Sequence, residues 1–207
     1  IAPNGNRIAF TQESGGQNGV WIMRVDGGNA RPVSEETGTS GDPAWSPDGS
    51  RIAFTGQMDG GPQIYVIRAD GSRLPQVTRG IQNISGRSSW SPDGERLVFQ
   101  AGAAGDHDIY LIGVDGSDLI QLTDGGDNTS PCFSPDGKWI AYFSDRTGEY
   151  ELTSRAADGT GEETVLTKLG PGYRYHPSWS PDSKKIAFID QAMRIWLHDL
   201  DQKSTAA

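Results

Sequence analysis

The stretch PAWSPDGSRIAF, residues 43–54, decides the fold, because altered copies of it recur along the whole chain. Each copy contains a proline at the same place in a Ser-Pro-Asp-Gly-like tetrapeptide. The five prolines, separated by 44, 45, 43 and 46 residues, are Pro3, Pro47, Pro92, Pro135 and Pro181. A fixed period of this length indicates an array of small structural units.

Each repeat contains four short segments that resemble β-strands. In the second repeat the first segment holds Trp45, and the later segments are residues 52–54, 64–66 and 77–78. Apolar runs this short, bounded by Gly, Pro and Asp, are typical of strands. No stretch keeps a helical period of 3.6 residues. The sequence therefore predicts an all-β chain.

A four-stranded unit of about 44 residues cannot bury both of its faces alone, whereas units stacked in a ring can. The sequence therefore predicts a β-propeller of four-stranded antiparallel blades. Five blades are expected, at about 1–40, 41–86, 87–129, 130–175 and 176–207, with the first and last incomplete. The two interpretations left open are a piece of a longer propeller and a small ring that closes in an unusual way. A solenoid is the alternative architecture, but solenoids usually have shorter repeats or parallel strands.

The repeated tetrapeptide is interpreted as a turn and not as an active site. Proline fixes φ for the second turn position, aspartate bonds nearby backbone groups, and glycine adopts the left-handed conformation. Five copies of one active site in a single chain would be unusual, whereas five copies of one turn are ordinary. The last copy has Ser183 in place of the glycine, which predicts a strained turn or one of another type.

Composition disfavours several classes of function. The 207 residues carry a formal net charge of −9, which would repel a nucleic acid backbone. Cys132 is the single cysteine, so an intramolecular disulfide or a cysteine-based zinc site cannot form. No apolar run approaches the roughly 18 residues of a membrane helix. No common catalytic signature occurs, and we expect no cofactor, no metal and no membrane insertion.

Three patterns together resemble the WD-like repeat of TolB-type propellers. They are Trp-Ser-Pro-Asp-Gly-x-Arg-Ile-Ala-Phe from Trp45, Ile-Tyr-x-Ile-x-x-Asp-Gly from Ile64, and Leu-Thr at residues 122–123. The resemblance implies a non-catalytic scaffold that binds a protein or peptide partner, in the periplasm or outside the cell. Similar repeats also form the gating propellers of dipeptidyl peptidase and tricorn-type proteases, and some oligogalacturonate lyases. The alternative is therefore an accessory or gating propeller of a serine peptidase or other hydrolase whose catalytic domain lies outside this chain.

The antiparallel order of the strands separates two faces of the propeller. The repeated Ser-Pro-Asp-Gly and Asp-Gly turns share one face, here called the repeated face. Loops from second to third strands, and from fourth strands to the next blade, differ between repeats and form the variable face. Loops held by a rigid scaffold often carry recognition.

The partner-binding candidates near the variable face or the central funnel combine aromatic and cationic side chains, which are favoured at protein interfaces. They are Arg87, His107, Arg146, Tyr173, Arg174, Tyr175 and His176. The alternative is that these are ordinary solvated loop residues. The oligomeric state is left open.

Overall fold

The computed structural model describes residues 1–34, 39–57 and 61–207, and these residues form five antiparallel sheets with no helix among them. Sheet one contains β1 (Arg7–Ser14), β2 (Gln17–Arg24) and β3 (Arg31–Pro32). Sheet two contains β4 (Thr39–Trp45), β5 (Arg51–Gln57), β6 (Gln63–Arg68) and β7 (Arg73–Gln76). Sheet three contains β8 (Ile84–Trp90), β9 (Arg96–Ala103), β10 (Asp106–Gly113) and β11 (Ile120–Gln121). Sheet four contains β12 (Asn128–Phe133), β13 (Trp139–Ser144), β14 (Glu151–Ala156) and β15 (Thr164–Val165). Sheet five contains β16 (Arg174–Trp179), β17 (Lys185–Asp190), β18 (Ile195–Asp199) and β19 (Ser204–Ala206).

The expected fold class is confirmed: the sheets are the blades of a β-propeller, and each strand pairs with the strand that follows it in its blade. The innermost strands of sheets two to five begin at Thr39, Ile84, Asn128 and Arg174, two or three residues before the positions estimated from the repeat. Assigned strand ends commonly differ by this amount.

Apolar clusters between neighbouring sheets form the core. Between sheets two and three, for example, Ile64 and Val66 on one side meet Leu97 and Phe99 on the other, and all four are essentially inaccessible to solvent. The same arrangement recurs between every pair of consecutive sheets. A central blade is therefore apolar on both faces, as strands buried on both sides require.

The first and last sheets differ from the template in different ways. Sheet one has three strands, so β1 is its innermost strand. Sheet five has four strands, because Ser204–Ala206 forms a short outer strand. In sheets two, three and four a threonine hydroxyl closes the blade by accepting a bond from the third strand: Thr78 from Ile64 N at 2.8 Å, and Thr123 and Thr167 in the same way at 2.9 Å.

Hydrogen bonds show that the Ser-Pro-Asp-Gly stretch is a turn. The Ser46 hydroxyl donates to Asp48 Oδ1 at 2.5 Å and accepts from Arg51 N at 2.9 Å. Gly49 has a φ of 69°, in the left-handed region that favours glycine. The last copy keeps the same turn, with Ser183 at a φ of 59°. The Ser183 hydroxyl also accepts a bond from Asp136 N of the neighbouring blade at 3.1 Å, which offsets part of the strain.

The aspartates of these turns make the stability of the fold depend on pH. Hydrogen bonds from Ser46 and then from Ser50 lower the pKa of Asp48 from 3.8 to about 2. Because the pKa is lower in the folded state, the carboxylate stabilises the fold at neutral pH, and this contribution is lost as the pH falls from about 4 towards 2. We expect Asp48→Asn to lower the urea midpoint at pH 7 and to have a progressively smaller effect below pH 4. An equal effect at every pH would contradict this role of the carboxylate.

Candidate functional site

A cavity of about 910 Å³ lies between the innermost strands of the five sheets. Its walls come from the innermost strands β4, β8, β12 and β16, together with β1. Each of the first four strands contains a bulge where its register with the next strand shifts. Bulges redirect side chains and are frequent beside binding sites. The cavity is therefore surrounded by four equivalent irregularities of the backbone.

Each bulge holds one residue in the left-handed conformation. These residues are Asp42, Gly86, Ser130 and His176, with φ values of 55°, 68°, 56° and 56°. Three of them precede a proline, at Pro43, Pro131 and Pro177. Left-handed φ values are uncommon for residues other than glycine, and proline further restricts the residue before it. The structure therefore places three different side chains, those of Asp42, Ser130 and His176, at one repeated position on the cavity wall, whereas the left-handed residue of β8 is Gly86.

Side chains of the neighbouring blade hold two of the bulges in place. Gln100 Oε1 accepts a hydrogen bond from Ser130 N at 2.7 Å, and the Thr55 hydroxyl donates to the Gly86 carbonyl at 3.3 Å. These hydrogen bonds hold the two bulges in place without a ligand. Our sequence reasoning did not single out Asp42 or Ser130. The signal that could have found them is the recurrence of X-Pro-small-aromatic at residues 42–45, 130–133 and 176–179.

Two of the seven candidate residues, Arg87 and His176, line the cavity. Arg87 lies within β8, directly after Gly86, and not in a loop. Its side chain is exposed, lines the cavity, and makes no ion pair or hydrogen bond within the described part of the chain. His176 lies in β16 and also lines the cavity, and its ring lies 6.3 Å from that of Tyr175.

His107 is held inside a hydrogen-bonded cluster between sheets three and four. Its Nδ1 lies 2.6 Å from Asp127 Oδ1, and its backbone N donates to the same oxygen at 3.0 Å. The Tyr150 hydroxyl donates to the other oxygen of Asp127. Burial alone would raise the pKa of Asp127, but the bonds from Tyr150 and His107 outweigh it and lower that pKa. The expectation that His107 is a free loop residue is wrong, because β10 already includes it and its side chain is half-buried.

Arg174 is buried, and the expectation that it is an exposed loop cation is wrong. Only 6% of its surface is accessible. Its Nη1 donates to the carbonyls of Tyr150 and Gly172 at 2.6 and 2.9 Å, and its Nη2 donates to Gly170 at 2.9 Å. The physical reason is the shape of the preceding loop, which turns several carbonyl groups inward where they need a donor.

The remaining candidates are exposed but do not line the cavity. Tyr173 and Tyr175 are 55% and 40% accessible, and the ring of Tyr173 packs 5.1 Å from that of Tyr150. Arg146 is exposed and forms an ion pair with Glu163 at 3.6 Å. The loops at 35–38 and 58–60, which the strand order assigns to the variable face, lie outside the described residues.

The side chains that line the cavity are apolar or can form hydrogen bonds. Cys132 lines the cavity, but burial raises the pKa of its thiol to about 12, so it remains protonated at neutral pH. Among the described residues, no group of three or more His, Cys, Asp or Glu side chains could hold a metal ion. Across the same ranges, we find no helix with the length and apolar character to span a membrane.

Solved structures and curated proteins resemble this chain over different lengths. The crystal structure of TolB from Acinetobacter baumannii matches with a TM-score of 0.78 and 26% identity, over 97% of this chain and 52% of that one. A putative TolB from Agrobacterium tumefaciens matches with a TM-score of 0.79 and 25% identity, over 99% of this chain and 77% of that one. An uncharacterized protein of Agrobacterium fabrum is 32% identical over 76 residues, 37% of this chain and 25% of that protein. The chain therefore spans about half the length of the Acinetobacter TolB.

The family assignment rests on a match that covers the whole chain. The model of the TolB β-propeller domain matches residues 1–89 and 79–207, which together cover the whole chain. The chain belongs to the TolB β-propeller domain family.

Proposed function

We propose that residues 1–207 form one propeller domain that acts as a non-catalytic scaffold and binds a protein or peptide partner in its central cavity. The observation that carries the proposal is the cavity itself, with its wall of four bulged inner strands. The family resemblance supports a partner of this class and a periplasmic or extracellular location. The variable face, where the cavity is flanked by dissimilar loops, would supply further contacts.

The size and lining of the cavity suit a short peptide segment. Its volume of about 910 Å³ lies near the upper end of ordinary ligand pockets, which are roughly 300–1,000 Å³. Aromatic and proline side chains, among them Trp45, Trp90 and Pro131, alternate on its wall with small polar groups such as Ser89 and Ser178. Such a lining gives apolar contact area together with hydrogen bonds that fix orientation.

The charges on the cavity wall favour a ligand that carries a carboxylate. Among the residues that the structure describes, Arg87 has no acidic partner, although the chain as a whole has a net charge of −9. A guanidinium group can bind a carboxylate through two parallel hydrogen bonds. His176 provides a second nitrogen donor on β16, while Asp42 adds an acceptor on β4. We therefore expect an acidic side chain or a C-terminal carboxylate in the ligand.

The proposal is tested by selecting peptides from a displayed random library on the purified chain. Affinities of the selected peptides are then measured for Arg87→Glu and His176→Asn, the second chosen because asparagine tolerates the left-handed conformation. We expect each variant to weaken binding at least tenfold, which corresponds to about 1.4 kcal/mol. The control variants Glu95→Ala and Lys138→Ala lie exposed on the repeated face and should bind as the parent does. If the control variants lost binding while the cavity variants kept it, the binding site would lie on the repeated face and the proposal would be wrong.

A further inference from the structure

One position of the repeat changes its chemistry in sheet four. The strand that follows each repeated turn opens with a cation in four sheets and with a tryptophan in one. In chain order these residues are Arg7, Arg51, Arg96, Trp139 and Lys185. Trp139 is 43% accessible to solvent, although tryptophan is highly buried on average. Exposed tryptophans are favoured anchors of protein interfaces.

The arginines show what this position does in other blades. The guanidinium group of Arg51 lies 5.0 Å from the centre of the Trp90 ring in the next blade. Its Nη2 also donates a hydrogen bond to the carbonyl of Gly94, in the turn of that blade, at 2.8 Å. Arg7 lies over Trp45 in the same way, at 5.5 Å. At both junctions between sheets, an arginine therefore covers the aromatic ring of the next blade on the repeated face.

Trp139 faces the junction between sheets four and five. Side chains alternate along a strand, so Trp139 leaves β13 on the same side as Ala141 and Phe143. Those two residues belong to the apolar cluster that includes Ile186 and Phe188 of sheet five, and the rings of Phe143 and Phe188 lie 5.5 Å apart. Across the described part of the chain, no cation lies over the ring of Trp139. This junction therefore presents an uncovered indole on the repeated face.

The two turns at this junction carry negative charge. Asp136 lies in the turn that precedes β13, and its backbone N donates to the Ser183 hydroxyl of the neighbouring turn at 3.1 Å. A hydrogen bond from the Ser134 hydroxyl lowers the pKa of Asp136, and one from the Ser180 hydroxyl lowers the pKa of Asp182. Both carboxylates are exposed and ionised at neutral pH.

The lysines of these turns do not take the role that Arg51 has in sheet two. The Nζ atom of Lys184 forms an ion pair with Asp201 at 2.8 Å. The charge of Lys138 attracts Asp136, but the described residues show no ion pair between the two groups. An ammonium group also lacks the planar fork that stacks on a ring and donates hydrogen bonds at the same time. The junction therefore combines an exposed aromatic ring with carboxylates that a guanidinium group can bind.

We propose that an arginine side chain of a protein partner binds on the repeated face at the junction between sheets four and five. Its guanidinium group stacks on the exposed indole of Trp139, beside the carboxylates of Asp136 and Asp182. The partner thus supplies from outside the group that Arg51 supplies from within the chain at the junction between sheets two and three. The inference does not depend on the proposed function, because none of these three residues lines the cavity.

The first test titrates the blocked tripeptide Gly-Arg-Gly into the full chain labelled with ¹⁵N and follows the indole N–H signals by NMR. The signal of Trp139 is identified by its loss in Trp139→Phe. We expect this signal to shift, whereas that of Trp90, whose ring already lies under Arg51, should stay in place. The matched probe Gly-citrulline-Gly has the same shape without the charge, and its initial slope of shift against concentration should be at least fivefold smaller. Equal slopes, or no shift with the arginine peptide, would overturn the inference.

The second test uses Trp139→Arg, which places a guanidinium group in the chain itself at the position of Arg51. We expect its thermal midpoint to stay the same or rise, and the peptide-induced shifts of the Asp136 and Ser183 amides to fall at least fivefold. Val165→Arg adds the same charge at an exposed apolar residue of β15 and should leave these shifts unchanged. If Trp139→Arg responded as the parent does, or if both variants lost the response equally, the assignment to Trp139 would be wrong.

Three further outcomes define the occupant of this surface. Gly-Lys-Gly should bind at least threefold more weakly than Gly-Arg-Gly, and equal binding would contradict the preference for a guanidinium group. If the chain forms a dimer that Trp139→Arg dissociates, the surface takes a second copy of the chain and the assignment to a partner is wrong. Arg87→Glu alters the cavity and should leave the response to Gly-Arg-Gly unchanged, so failure of the cavity proposal and failure of this inference can be told apart.

Discussion

Arg174→Ala is expected to lower the free energy of unfolding by about 3 kcal/mol, within the usual range for breaking a buried network of hydrogen bonds. The guanidinium group joins three carbonyls, those of Tyr150, Gly170 and Gly172, and these come from two different loops. With alanine, the carbonyls lose their donor and a cavity remains where the side chain was. In a chain of this size the loss corresponds to a fall of roughly 6–12 °C in the melting temperature.

The matched control for this prediction is Tyr175→Ala, the next residue of the same strand. Its ring is 40% accessible and its replacement should change stability by less than about 1 kcal/mol. Arg174→Lys should fall between the two, because an ammonium group cannot reach three carbonyls with the geometry of a planar fork. Urea unfolding at neutral pH measures all three variants. If Arg174→Ala were as stable as Tyr175→Ala, the buried network would contribute nothing.

The fold could be predicted from the sequence because its causes are local and repeated. Proline, aspartate and glycine at fixed positions specify each turn, and the apolar runs between them specify strands that are buried on both faces. Ser183 departs from the template, yet its turn is kept, since its hydroxyl accepts a hydrogen bond from Asp136 N of the preceding blade, which offsets part of the strain. Every repeat gave an independent indication of the same structure.

The candidate site was less predictable because its determinants are tertiary. From residue type alone, Arg174 and His107 were expected to be exposed loop residues. Whether such a side chain is exposed depends on which carbonyls or carboxylates the folded loops bring close to it. The bulged positions were encoded locally, in the X-Pro-small-aromatic pattern, and their importance becomes visible only when the inner strands meet around one cavity.

Asp127→Ala is expected to lower the free energy of unfolding by about 2–4 kcal/mol, because a buried charged acceptor of several hydrogen bonds is removed. Asp127 is only 6% accessible and accepts bonds from His107 and from the Tyr150 hydroxyl, so it ties sheet three to sheet four. Its backbone N is held in turn by Asp145 Oδ1 at 2.7 Å. Without the carboxylate, the half-buried Tyr150 and His107 donors lose their acceptor.

The dependence of this effect on pH separates the carboxylate from simple packing. The pKa of Asp127 is lowered in the folded state, so its contribution is complete above the unfolded value of about 4 and is lost as the pH falls further. The stability difference between the parent and Asp127→Ala should therefore be largest near neutral pH and shrink in acid. Asp124→Ala, an exposed aspartate of the same loop, provides the matched control and should change stability by less than about 0.5 kcal/mol. Urea midpoints at pH 7 and pH 3.5 measure both variants. A difference that stays constant between the two pH values would show that Asp127 acts through its shape and not through its charge.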